Sequence, residues 1–432
     1  MRIGHVIRAE RVRQEMKQVV LAKGICTPSY LSKIERNLIE PSEEVVELLM
    51  ERLGMDPGKF TQPAQDKTEQ EFLKMLKDSY RNVITKRDKD YTRQQLDMLL
   101  QENPIFEDQS IYYTYLLIVL RFRLILGEDL EGCRREIYAL ENIFPQFNEY
   151  QQHLFTLVKA LYYYSIGNLR KAINYFQDAA KIMESLILDE WEKNEFYYMI
   201  GVAYTADIRI FYSFEYVKKA LEYFRENLYM KRVLDCYILL GITYKKTDQY
   251  DEALEAYHKA SQICEEFHFD NEKGLIYHNL GSLNSVMGNS KDAIYFYEKS
   301  LEYKIGIANP LITVYCLVIE FYKSSNKDLV EKWTKEGLQL YETLSDEKLK
   351  PYYYHLSFHH SLNKKEGLDI ELAKETIEYF KSIDDYKNIQ KYCIALAEWF
   401  YSNRKYKLSS IYFREANRYG HYKKIDNWED LN

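Results

Sequence analysis

Glycine and proline are scarce, with 16 and 8 copies in 432 residues. A chain so poor in turn formers cannot supply the frequent reversals of an all-β fold, and long helices remain. Cysteine is equally thin. Its six copies, Cys26, Cys133, Cys236, Cys264, Cys316 and Cys393, are scattered and form no CxxC pair. That argues against a disulfide framework and for buried thiols kept reduced in the cytoplasm. No run reaches the about 18 consecutive apolar residues of a membrane span; Ile111 to Leu120 is too short. No apolar stretch follows the N-terminal charges, so no secretion signal is read. Phosphate-cradling loops of the GxxxxGK[ST] and GxGxxG kinds are missing, as are HExxH and the Gly-x-Ser-x-Gly nucleophile turn. Nothing therefore argues for an enzyme, and no catalytic residue or cofactor is assigned. His355, His359 and His360 come nearest to a metal site, but no adjacent carboxylate or thiol completes a ligand set, and no metal is expected.

What the chain has in excess is tyrosine, with 41 copies. Its large ring and polar tip suit helix pairs packed along a wet groove. At 46% hydrophobic and 29% charged, the chain can bury cores, and its length implies several domains or a repeat array. The net charge of −7 is unevenly spread. Residues 1–37 hold eight basic and three acidic side chains, a net of +5, leaving −12 for the remainder. A basic head on an acidic body is the asymmetry of a DNA-binding domain joined to something else.

Residues 3–53 read as four short helices. Their apolar stripes are Ile3, Val6 and Ile7; Val20 and Leu21; Leu31 and Ile34; and Val45, Val46, Leu49 and Leu53. Gly24 separates the second and third. Thr27 is a natural N-cap with Pro28 behind it, Asn37 stops the third helix, Ser42 caps the fourth and Gly54 ends it. Four such helices with a tight central turn make a helix-turn-helix domain, residues 1–56, whose third helix enters the major groove of double-stranded DNA. The residues expected to meet DNA are Gln18, Thr27, Ser29, Tyr30, Ser32, Lys33 and Arg36, with Gln18 on phosphate. Arg8, Arg11 and Arg36 would add attraction indifferent to base sequence.

The string Leu31-Ser32-Lys33-Ile34-Glu35 followed by Pro41-Ser42 resembles the xenobiotic-response-element, or Cro/repressor, class of helix-turn-helix. The compact turn Ala22-Lys23-Gly24-Ile25-Cys26 is similar to that of PlcR- and NprR-like regulators. Lys17 stands where the class usually has Thr, which removes a cap from the second helix.

Residues 57–70 are polar, with Pro57 and Pro63, and read as a linker; 71–432 reads as helical throughout. Tyr237, Leu240, Gly241, Tyr244, Ala253, Tyr257 and Ala260 fit the tetratricopeptide spacing. A shift of 40 residues brings Tyr277, Leu280, Gly281, Asn284, Ala293, Tyr297 and Ser300 into register, and the opposite shift brings Tyr197, Ile200, Gly201, Tyr204, Ser213, Val217 and Ala220. An early copy keeps Ala160, Tyr163, Ala172, Phe176 and Ala179; a late one keeps Leu396, Ala397, Phe400, Phe413 and Ala416; those between are degenerate. About nine pairs fit, and stacking is expected to wind them into a right-handed superhelix with a concave groove. The fold class expected is thus all-α: a helix-turn-helix, then a tetratricopeptide superhelix. Residues counted onto the groove are Tyr198, Val202, Thr205, Ile238, Lys245, His278, Asn279, Ser282, Glu320 and Lys323. Asn279 is singled out, because an amide can donate to and accept from an extended peptide at once.

Head and array together resemble the RRNPP family of quorum-sensing regulators. That resemblance implies a cytoplasmic homodimer, binding to a double-stranded DNA operator, and control by a short signalling peptide in the groove. The alternative it leaves open is an adaptor that captures a phosphorelay response regulator, for which Gln94, Gln95 and Gln101 are available, or a regulator gated by another protein partner. No membrane partner is expected.

Overall fold

A computed structural model describes residues 3–56, 68–102, 108–304, 310–344, 346–364 and 367–419. Among the described residues the regular elements are helices, with no strand. The chain divides into two compact units, residues 1–204 with 218–232, and residues 205–217 with 233–432.

Four helices form the head: α1 (Gly4–Arg13), α2 (Gln18–Ala22), α3 (Pro28–Glu35) and α4 (Glu43–Arg52). The expected punctuation is there. Thr27 Oγ1 accepts from the Tyr30 N–H at 3.1 Å, Pro28 opens α3, and Asn37 and Gly54 take left-handed φ values of 54° and 71°. Ser42 holds the N-cap position of α4 but its hydroxyl makes no cap bond. Ile3, Ile7, Leu21, Leu31, Ile34, Val46, Leu49 and Leu53 form the core with Ala22 and Met50. Two stripe residues depart from expectation. Val20 lies exposed, because a five-residue α2 turns only Leu21 and Ala22 inward. Val6 is buried, and lines a cavity shared with helices of the body rather than joining the head's core.

Of the linker, 57–67 lies outside the described residues. Thr68 is already the N-cap of α5 (Glu69–Lys86), where its hydroxyl and Glu71 form a reciprocal capping box. There follow α6 (Lys89–Glu102), α7 (Gln109–Leu126), α8 (Leu130–Glu141), α9 (Glu149–Ser165), α10 (Leu169–Met183) and α11 (Glu190–Ala206). Then come α12 (Ile210–Glu226), α13 (Met230–Lys246), α14 (Tyr250–Glu266), α15 (Asp270–Val286), α16 (Ser290–Lys304) and α17 (Leu311–Lys323). The last five are α18 (Lys327–Leu344), α19 (Lys350–Asn363), α20 (Ile370–Ser382), α21 (Tyr386–Ser402) and α22 (Tyr406–Tyr419). Helices α11 to α16 begin at 190, 210, 230, 250, 270 and 290, so the 40-residue period is the spacing of helix pairs. α7 is long and apolar enough to cross a membrane by composition, yet 72% of it is buried in the fold and it carries Arg121 and Arg123, so it serves as a core helix.

The repeat residues explain the packing. A Cβ on Gly281 would stand 2.6 Å from the Tyr297 ring, and one on Gly241 would collide with Tyr257 in the same way. These two glycines of first helices therefore admit the tyrosine of the second helix of their pair. In the stretch where the pattern fades, helix pairs continue as α17–α18 and α19–α20, but the close approach has moved: Gly337 of α18 lets the Leu356 side chain in, where a Cβ would meet it at 2.7 Å. In the late copy Leu396, Ala397 and Ala416 are buried as expected, whereas Phe413 is 42% exposed. Its helix is the last among the described residues.

Candidate functional site

The head's candidate DNA face is built on α3. Ser29, Tyr30, Lys33 and Arg36 are exposed and Ser32 is half-buried. Thr27 is exposed, although its hydroxyl is engaged as the α3 cap. Arg36 folds back, donating to the Ser32 carbonyl and hydroxyl at 3.1 Å each. Three expected contacts have other employment. Gln18 Nε2 donates to Glu35 Oε2 at 2.7 Å, so its donor faces inward. Arg11 grips the same buried carboxylate with two bonds, 2.5 and 2.8 Å, and also donates to the Met16 carbonyl. Arg8 donates to the Asn142 carbonyl at 3.2 Å, outside the head. Arg8 and Arg11 thus make structural bonds, for a reason of geometry: both sit on α1, which packs on α3 and on α8.

α1 also fastens the head to α7 and α8. His5 is buried with its ring edge-on to Tyr112 and Tyr113, centroids 5.4 and 6.3 Å away.

The candidate groove residues divide between the units. In the first unit Tyr198 and Val202 are half-buried, and the Arg232 guanidinium lies 4.5 Å above the Tyr198 ring. Arg232 and Arg121 both reach Glu195, the latter at 3.3 Å, and all three side chains are buried. Burial lowers the Arg121 pKa. Nearby in sequence, Tyr150 donates to Glu192 at 2.7 Å, and burial raises that carboxyl to about 7. Sequence reasoning missed Arg121, Glu195, Arg232 and Glu192. The one available signal was charge on otherwise apolar helices, Arg121 within Tyr112–Leu126 above all.

In the second unit the groove expectation needs correction. Thr205, Ile238, Lys245, His278, Asn279 and Glu320 are buried, not open. They stitch neighbouring first helices. Thr205 pairs with Thr243 at 3.0 Å, Lys245 donates to Ser282 at 2.8 Å, and His278 meets Thr313 at 3.0 Å. Glu320 accepts from Ser285, and from Lys323 at 2.7 Å, which hold it below the usual carboxylate range against the opposing effect of burial. Asn279 donates to the Leu275 carbonyl of its own helix at 3.0 Å and is wholly buried, so a two-handed clamp is not what this conformation offers. Ser282 is half-buried and Lys323 exposed. The ladder ends in an aromatic cluster where His355 stacks on Tyr315 at 4.5 Å, bonds Tyr392, and lies beside Lys391, which bonds Tyr315. Burial pushes His355 well below the usual histidine range and His359 down to about 3, so both rings are neutral at pH 7. Among the described residues no group of His, Cys, Asp or Glu side chains is placed to hold a metal ion.

Comparison with known proteins agrees with this layout. Residues 7–60 match the helix-turn-helix family model and 232–304 the tetratricopeptide-repeat model. The chain is 29% identical over 413 residues to the transcriptional activator NprA of Geobacillus stearothermophilus, covering 92% of this chain and 98% of NprA. It is 23% identical to response regulator aspartate phosphatase I of Bacillus subtilis, over 72% of this chain and 82% of that protein. Its fold matches the quorum sensor NprR of B. thuringiensis in its apo form, with 21% identity, a TM-score of 0.67 and coverage of 82% of this chain and 99% of that one. NprR in complex with its cognate peptide NprX matches with a TM-score of 0.62 at 22% identity, over 81% of this chain and 99% of that one. With a helix-turn-helix head, tetratricopeptide pairs on a 40-residue period and near end-to-end similarity to NprA, the chain resembles the RRNPP group of regulators.

Proposed function

We propose that the chain is a cytoplasmic transcription regulator, active as a homodimer, whose head binds an operator and whose array takes a short signalling peptide that controls that binding. It is not an enzyme in this reading. The observation that carries it is the head itself: a complete helix-turn-helix presenting exposed Ser29, Tyr30, Lys33 and Arg36, in a chain aligned from end to end with a transcriptional activator. NprR, whose fold the array shares, is known with a bound peptide. Among the groove candidates, Tyr198 and Val202 of the first unit and, separately, Ser282 and Lys323 of the second are the side chains left at least part-open. A peptide can shift DNA affinity only by binding one conformation better, and a tenfold preference is worth about 1.4 kcal/mol.

The test is an operator titration with the full chain over a salt series, with and without synthetic peptides from neighbouring small reading frames. Salt-sensitive and peptide-dependent binding supports the reading; operator binding indifferent to every peptide removes its sensory half. The similarity to a response regulator phosphatase favours a second reading, in which the array captures a response regulator. Capture of a purified response regulator by a chain that binds no operator would select it.

A further inference from the structure

Between the head and the body of the first unit lies a cavity of about 230 Å³. Its wall takes Val6 and Ala9 from α1, Val119 from α7, and Ala139 and Leu140 from α8. Ala9 and Ala139 each contribute only a methyl group, although both are buried. The mouth is charged but balanced. Arg13 is held by Glu10 at 2.7 and 2.8 Å, and Arg123 by Glu136. Burial raises the Glu136 carboxyl against the pull of Arg123 and Arg13.

We propose that this cavity is a binding site for an uncharged, mainly apolar small molecule of benzene to indole size, whose occupancy fixes the head against the body and so tunes operator binding. Size, lining and charge each argue for that class. Apolar cavities of about 150 Å³ stay dry and admit benzene, so 230 Å³ has room for about ten non-hydrogen atoms. An ionised guest would have to displace one partner of a pair already made at the mouth and leave the other charge unanswered. Because α1 forms one side and α7 with α8 the other, a guest that fills the void binds the docked head better than a displaced one. That differential affinity is what linkage requires. The site differs in place and chemistry from the peptide surface. Only its effect on operator binding rests on the function proposed above.

Indole is the probe, used with the full chain. Thermal unfolding should show stabilisation that rises with indole, roughly tenfold in the folding equilibrium at ten times the dissociation constant. Ala139→Leu fills the space: it should fold, unfold at a higher temperature without indole, and lose the response to it. Ala9→Val is the smaller filler should Leu overpack. Operator affinity should change by about fivefold or more with indole in the parent and not in the filled variants, the low end of site–site coupling. No stabilisation by indole up to its solubility, or an equal response in parent and filled variants, overturns the site. Stabilisation without any change in operator affinity overturns its coupling to the head, and a chain that binds no operator at all bears on the proposed function while the unfolding test still decides the site.

Discussion

At the scale of single residues, the head turns on Glu35. Its carboxylate is buried and is held by Arg11 and Gln18, so α1, α2 and α3 meet on one charge. Removing one side of such a pair strands the other. Glu35→Ala is expected to destabilise the head by about 3–5 kcal/mol, read by denaturant unfolding of the full chain; a loss below about 1 kcal/mol, the worth of a surface pair, would sink this view. Glu192 is the opposite case. Its folded carboxyl titrates at about 7 against 4.5 in the free side chain, so between those values the folded chain holds a proton that the unfolded chain has released. Stability from this group is present below about pH 4.5 and is lost as pH rises through 7. Glu192→Gln should raise the melting temperature at pH 8 relative to the parent and leave it nearly unchanged at pH 4.5; equal effects at both values would show that burial does not shift the group.

At the scale of elements, α3 carries the proposed reading face and a glycine–tyrosine fit carries the array. Lys33 is exposed on α3, and a phosphate contact made by it would contribute one unit of counterion release. Lys33→Ala should weaken binding to all DNA and lower the salt slope by about 1; an unchanged slope would place Lys33 off the DNA. In the array, Gly281→Ala drives a methyl into the Tyr297 ring of the partner helix. Overpacking of this kind costs about 1–3 kcal/mol, and the loss should appear in thermal unfolding and be relieved by Tyr297→Leu in the same chain. These elements were legible because their spacing is a packing constraint: a small residue must face a large one at each crossing, and 40 residues later the crossing recurs. Where Gly337 moved the small residue to the second helix, the pairs remained and the pattern vanished from view.

At the scale of the molecule, the head packs directly on the first helices of the body. His5 and Arg8 of α1 meet Tyr112, Tyr113 and Asn142, so the helix-turn-helix shares its first compact unit with the start of the array. A chain lacking residues 1–67 would uncover the aromatic face of α7. It should melt below the full chain in calorimetry; identical melting would mean that head and array unfold independently.

The sequence by itself determined the helical class, the two kinds of element, the caps at Thr27, Asn37 and Gly54, and the register of the central repeats. These follow from local rules, in which propensity, capping and period act within a few turns of chain. Which polar side chains would be free was decided only by the tertiary structure. Thr205, Lys245, His278 and Glu320 stand at groove positions by count, yet neighbouring first helices lie close enough to bond them to one another. Arg11 looks like a DNA contact on a helical stripe until Glu35, 24 residues away, closes on it. Partners so distant in sequence leave no periodic trace, because a hydrogen bond between helices depends on how the helices pack and not on the spacing along either one.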